Sequence, residues 1–206
     1  MRAALSDMYN HSWRLFVLNL ALSVVAVAPL VAALWAVPAL VLLLAVGPFA
    51  AALMHCAVTV QQTDDLRLRD GVVGLRLHWR RGLVLAALIA GVVVLVVTAI
   101  WFYAPRAWPV ALVALYGAQL FGVWQIHVWP LAVARRRERL GAVLREAGRA
   151  LGRRPLASIG LAFALLLVNA FGMALGVLPA LTLTLAYSAL AAAHFALPPP
   201  TEEVAS

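Results

Sequence analysis

The sequence contains no lysine. All sixteen of its basic residues are arginines, set against eight acidic ones. It has one cysteine, Cys56, which rules out an intrachain disulfide and a cysteine-based metal cluster. Charged residues make up 12% of the chain, where a soluble domain carries about 25%. From Leu15 to Val60 there is no charge at all. Catalytic signatures are missing as well: no HExxH, Walker loop, GxGxxG or Ser/His/Asp set occurs. These absences argue against an enzyme and call for no cofactor and no metal. His55 and Cys56 are adjacent, so on a helix they point about 100° apart and do not chelate together. Asp64, Asp65 and Asp70 lie among arginines and read as a solvated, ion-paired face.

What the chain has in excess is apolar surface: 65% of its 206 residues are hydrophobic. A soluble core of this length cannot hide so much, and lipid is the expected solvent for most of it. The net charge of +8 would invite a nucleic-acid reading if it were spread over one face. It is confined instead to short segments between apolar runs, which is positive-inside patterning, and nucleic acid is excluded on that ground.

Half of the arginines fall in one stretch, Ala134 to Pro155, ARRRERLGAVLREAGRALGRRP. Its apolar residues Leu140, Val143, Leu144, Ala147 and Leu151 recur at helical spacing, one stripe of a 3.6-residue repeat. Arg139, Arg145, Arg149 and Arg153 mostly fall elsewhere on that helix. The pattern predicts a basic amphipathic helix at a membrane surface, between two spans.

The remaining elements follow in order. Trp13 marks the interface before a first span at about 15–35. Forty-six uncharged residues exceed one span of about 20, so a second is expected at about 38–60, starting at Pro38. Residues 61–81 form a polar segment with five arginines, helical from about Leu66 although Gly71 and Gly74 weaken it. Further spans are expected at about 82–103, 110–133, 156–177 and 179–197. Trp101, Phe102 and Tyr103 form an aromatic belt, and the tail 198–206 is polar and expected to be disordered. No cleavable signal peptide is expected, since the first apolar run continues far past a signal core.

The expected fold is therefore all-α: one transmembrane domain over 1–197, with six spans and two cytoplasmic basic amphipathic helices. Six spans put both termini on one side, with fifteen arginines there and Arg106 alone on the other. The rule makes the arginine-rich side cytoplasmic.

On these boundaries no span contains Asp, Glu, Lys or Arg, whereas ion-coupled transporters keep such a residue inside. Milder polarity remains: Asn19 with Ser23, His55 with Thr59, Gln119, Gln125, His127, Asn169, Thr184 with Ser188, and His194. These residues read either as a polar path or as ordinary interhelical hydrogen bonding, the more common use. Gly172 and Gly176 form a GxxxG suited to close helix contact. Asp70, Arg76, Trp79, Arg80 and Arg81 in the first basic segment, with Arg145, Arg149, Arg153 and Arg154 in the second, are the candidates for contact with a partner or with anionic headgroups. The first segment suits partner docking better, the second lipid. HWRRGLVL at 78–85 also aligns with LGRRPLAS at 151–158, which suggests a parallel repeat of span, basic helix and span. Positive-inside loops resemble one another by composition, which explains the match equally well.

Leu18-Asn19-Leu20, GPFAAAL at 47–53, then Asp70 and HWRRG at 78–82 resemble the YesL-like family of bacterial integral membrane proteins, a domain of unknown function. The chain departs from it in Val72, Val73 and Leu75, where the family often has aromatics. The resemblance covers about 9–195 and implies a small six-span protein of the bacterial plasma membrane. It implies an accessory or assembly role in carbohydrate ABC transport, with a permease or ATPase as partner, and no catalytic residues. A small solute transporter or channel, and a membrane anchor or sensor partner of a signalling protein, are the other classes the residues allow.

Overall fold

The computed structural model describes residues 9, 13–17, 19–21, 24–25, 44–63, 65–175 and 184–198. The helices with both ends among the described residues are α1 (Val46–Thr63), α2 (Leu68–Tyr103), α3 (Trp108–Ala134), α4 (Leu140–Arg153), α5 (Pro155–Leu175) and α6 (Leu185–Ala196), and no strand occurs among the described residues. The chain is all-α, as its hydropathy pattern requires. Most of the expected first span, the start of the second, the 176–180 turn with Gly176, and the tail beyond Pro198 lie outside the described residues.

Three helices, α2, α3 and α5, are long and apolar enough to cross a membrane. Their apolar windows are buried within the chain to only 6%, 6% and 17%. Val94, Leu95, Trp101, Val113, Tyr116, Phe163, Leu166 and Phe171 all stand exposed. A soluble protein does not leave so broad an apolar surface in water. The hydrophobicity of these helices is directed outward, which suits a lipid solvent.

The boundary expected near residue 82 does not occur. The chain from Leu68 to Tyr103 is one helix of 36 residues, about 54 Å at 1.5 Å per residue. That exceeds a hydrocarbon core of about 30 Å, while Gly82–Tyr103 alone, about 33 Å, matches it. The polar segment is thus an extension of a span rather than a separate surface helix. The helix starts where Asp70, three residues in, accepts the Arg67 backbone N–H at 2.8 Å on its carboxylate. This closes one free donor and places an acid at the positive end of the helix dipole.

Glycine does not break α2 because packing uses it. Gly71, Gly74, His78, Gly82 and Leu85 are its buried residues, spaced along one face. A Cβ on Gly82 would lie 2.6 Å from the Gly47 carbonyl oxygen and 2.7 Å from Pro48 Cα. A Cβ on Gly74 would lie 2.9 Å from His55 Cβ. The backbones of α1 and α2 therefore touch in an antiparallel hairpin, Gly47 beside Gly82 and His55 beside Gly74. Each mid-helix glycine costs about 1 kcal/mol against alanine, and the close approach offsets it. The two stretches GPFAAAL and HWRRG, distant in sequence, meet at this contact.

α1 is buried on most of its faces, from Gly47 to Gln61. Its Leu53, Met54, Ala57 and Val60 share a core with Ala186, Leu190 and Ala193 of α6. Gln61 donates from Nε2 to the Pro198 carbonyl at 3.2 Å, which sets the ends of α1 and α6 side by side. α5 fully buries only Ser158, Leu165 and Gly172, one residue per heptad, with Leu161 and Val168 half-buried beside them.

The two aligned basic segments differ where it matters. Arg80-Arg81-Gly82 lies inside α2, but Arg153-Arg154-Pro155 separates α4 from α5. A proline disfavours helical backbone in the residue before it, and Arg154 leaves the helix at φ −138°, ψ 57°. The two copies of the suggested repeat therefore differ in architecture: one continuous helix against two.

Candidate functional site

The arginine-rich stretch forms α4 as its periodicity predicts, but its apolar stripe faces protein. Val143 and Ala147 are fully buried, and Leu140 and Leu144 pack with them against Leu85 of α2 and Val128, Leu131 and Ala132 of α3. A stripe resting on lipid, the expectation for an interfacial helix, is not what is found. The arginines Arg145, Arg149 and Arg153, four residues apart, lie across the helix from Val143 and are exposed. Arg149 and Arg153 flank Glu146 at 3.4 Å and 3.7 Å, with their side chains about 70% exposed. Ion pairs this open contribute little to stability, so the row remains available to a partner. Arg154 is exposed too, and its carbonyl accepts the Ser158 hydroxyl at 2.9 Å.

Arg81 has a different task. Its guanidinium donates to the carbonyls of Ala132 at 2.7 Å, Arg135 at 3.0 Å and Glu138. The last turn of a helix has unmatched carbonyls and a partial negative charge, and a guanidinium answers both. Arg81 thus ties α2 to the end of α3 and to the turn that leads into α4. The other candidates of the first segment divide. Asp70 is used in starting α2. Arg76 is exposed, and Arg80 lies over the exposed Trp79 ring at 5.2 Å, a cation–π contact. Arg76, Trp79 and Arg80 remain free for a partner, whereas Asp70 and Arg81 hold the fold.

The intrahelical polar residues do not form one path. Gln119 is exposed, away from the other candidates. Asn19 is fully buried. The ring of His55 stands 5.3 Å from that of His78, a neighbour the sequence reading did not single out. His127 is buried, with Nε2 2.8 Å from the Ser158 hydroxyl oxygen, so it joins α3 to α5. Asn169 is a hub: its amide donates to Leu165 O at 2.7 Å and Ser188 Oγ at 2.9 Å, and it accepts from Thr184 Oγ1 at 2.9 Å. Two of the expected i, i+4 pairs are bonds within a helix, since Thr59 donates to the His55 carbonyl and Ser188 to that of Thr184. Ser158 had no distinguishing signal, because only the approach of α5 to α3 gives it a partner.

Gln125 has neither of its polar side-chain atoms matched, whereas His127 lacks a partner only at Nδ1. It lines a cavity of about 260 Å³ between α1, α3, α5 and α6, together with Leu53, Met54, Gly122, Trp129 and Ser188. Both carboxamide heavy atoms, Oε1 and Nε2, are buried without a hydrogen-bond partner. No group of three or more His, Cys, Asp or Glu able to hold a metal occurs among the described residues.

No family model matches the chain, and none of the curated proteins or solved structures compared with it is similar. The functional reading rests on the geometry and on the resemblance in its motifs.

Proposed function

We propose that this is a six-span bacterial plasma-membrane protein that acts as an accessory or assembly component of a carbohydrate ABC transport system, docking a permease or ATPase through its cytoplasmic arginines. The supporting observation is the seating of α4. Its apolar stripe is occupied by Leu85, Val128 and Leu131, so Arg145, Arg149 and Arg153 face away from the bundle. Arginine is the residue best suited to forked recognition of carboxylates. The stretch from Arg135 to Arg154 carries eight arginines against Glu138 and Glu146, which suits an acidic protein surface. Both termini lie in the cytoplasm on this reading, and the YesL-like resemblance supplies the partner class.

A pull-down from native membranes in mild detergent, read by mass spectrometry, tests the proposal. A stoichiometric permease or ATPase is expected with the unaltered chain, and it should be lost when Arg145, Arg149 and Arg153 are all changed to Glu. Recovery of lipid alone, or a partner retained by the triple variant, would overturn it.

A further inference from the structure

We infer that the cavity between α1, α3, α5 and α6 is a binding site for an uncharged amphiphile with an apolar body and a single hydroxyl head, which Gln125 recognises. This does not rest on the docking reading above.

Gln125 is the observation that carries this site. Its carboxamide offers two donors and an acceptor, and none is used. Buried polar groups in native proteins are paired in roughly 90% of cases or more, and hydrocarbon supplies no substitute partner. The polar residues around it have partners of their own: Asn169, Thr184 and Ser188 bond one another, and His127 bonds Ser158 through Nε2, its Nδ1 staying unpaired. Among the described residues of this region, Gln125 is the side chain with neither polar atom paired, and it lines the cavity. The terminal torsion of a glutamine is broad, so its amide turns toward an occupant at little cost.

The walls define the occupant. Ala50, Leu53, Met54, Ile126, Leu165 and Ala189 present hydrocarbon, which excludes a charged molecule. A hydroxyl both donates and accepts, so it matches an amide that lacks both partners. About 260 Å³ holds roughly eight or nine heavy atoms at about 30 Å³ each. That is the size of a medium-chain alcohol, or of the glycerol end and first methylenes of a neutral lipid. Access is provided at Gly122, which lines the cavity, is exposed, and has nothing within 4 Å of where its Cβ would stand.

The test uses the full chain in nanodiscs and a diazirine-bearing octanol as photolabel, with adducts mapped by mass spectrometry. Adducts are expected on Met54, Ile126 and Trp129. Octanol should displace the label several-fold, up to about tenfold, more effectively than octane, the ratio that one recovered hydrogen bond supplies. Gln125→Leu should bring the two competitors level, and Gly122→Leu, which meets open space, should remove the adducts without loss of fold. Diacylglycerol, which keeps one free hydroxyl, competing as well as octanol would identify a lipid source, and competition by octanol alone a free alcohol; both support the site. Adducts scattered over Val93 to Val97 with none in the cavity would overturn it, as would equal competition by octane in the unaltered chain.

Discussion

The Arg81 guanidinium donates to the Ala132 carbonyl at 2.7 Å, across the contact between α2 and the end of α3. A charged side chain read from sequence as a docking residue is here a fastening inside the molecule. Its further bonds to Arg135 and Glu138 carry the fastening into the turn before α4.

Arg81→Met should therefore act on stability. Hydrogen bonds to charged groups contribute about 1.5–3 kcal/mol, and a loss of that order is expected in thermal unfolding in detergent. Protease cleavage between Arg135 and Arg139 should rise in parallel. Arg80→Met, which gives up only a surface contact with Trp79, should change stability by less than about 0.5 kcal/mol.

The glycine seam predicts a contrast within one helix. Gly82→Ala forces a methyl against the Gly47 and Pro48 backbone and should cost about 1–3 kcal/mol through overpacking. Gly91→Ala meets nothing within 4 Å and should instead stabilise by about 0.5–1 kcal/mol through helix propensity. Unfolding midpoints of the two variants, measured in one detergent, check both signs.

His127 and Ser158 form a pair that a double-mutant cycle resolves. Ser158→Ala alone leaves a buried imidazole without its partner and should cost about 1–3 kcal/mol. His127→Leu together with Ser158→Ala removes both ends and should cost less than the sum, with a coupling of at least about 0.5 kcal/mol. Additive effects would show that the hydrogen bond has no energetic role.

Sidedness is checked by thiol labelling in a Cys56→Ala background, since Cys56 is the sole native thiol. Arg76→Cys and Arg149→Cys should both react from the cytoplasmic side, and Arg106→Cys only from the opposite one. Reaction of the first two from different sides would remove the six-span topology.

Much of the architecture was legible because hydropathy and charge act locally. The span expected at 110–133 is α3, Trp108–Ala134, and that at 156–177 corresponds to α5. The periodicity of Leu140, Val143, Leu144 and Ala147 predicted α4 correctly. The errors fell where a residue's meaning depends on what lies across from it. Gly74 looks like a helix breaker until His55 of α1 is placed against it. Gln119, Gln125 and Asn169 have the same chemistry in sequence, yet one is exposed, one unmatched beside a cavity and one saturated.

The sequence by itself determined that this chain is helical, where its long apolar helices lie and how its arginines segregate, because transfer of apolar side chains out of water and the exclusion of charge from lipid need no knowledge of neighbours. Only the tertiary structure decided that α2 continues unbroken past Arg81, that α4 rests on protein, and that Gln125 is left unpaired beside a cavity. Those outcomes depend on which surfaces meet, and close contact between backbones, such as that of Gly47 with Gly82, is a property of pairs that no single stretch of sequence contains.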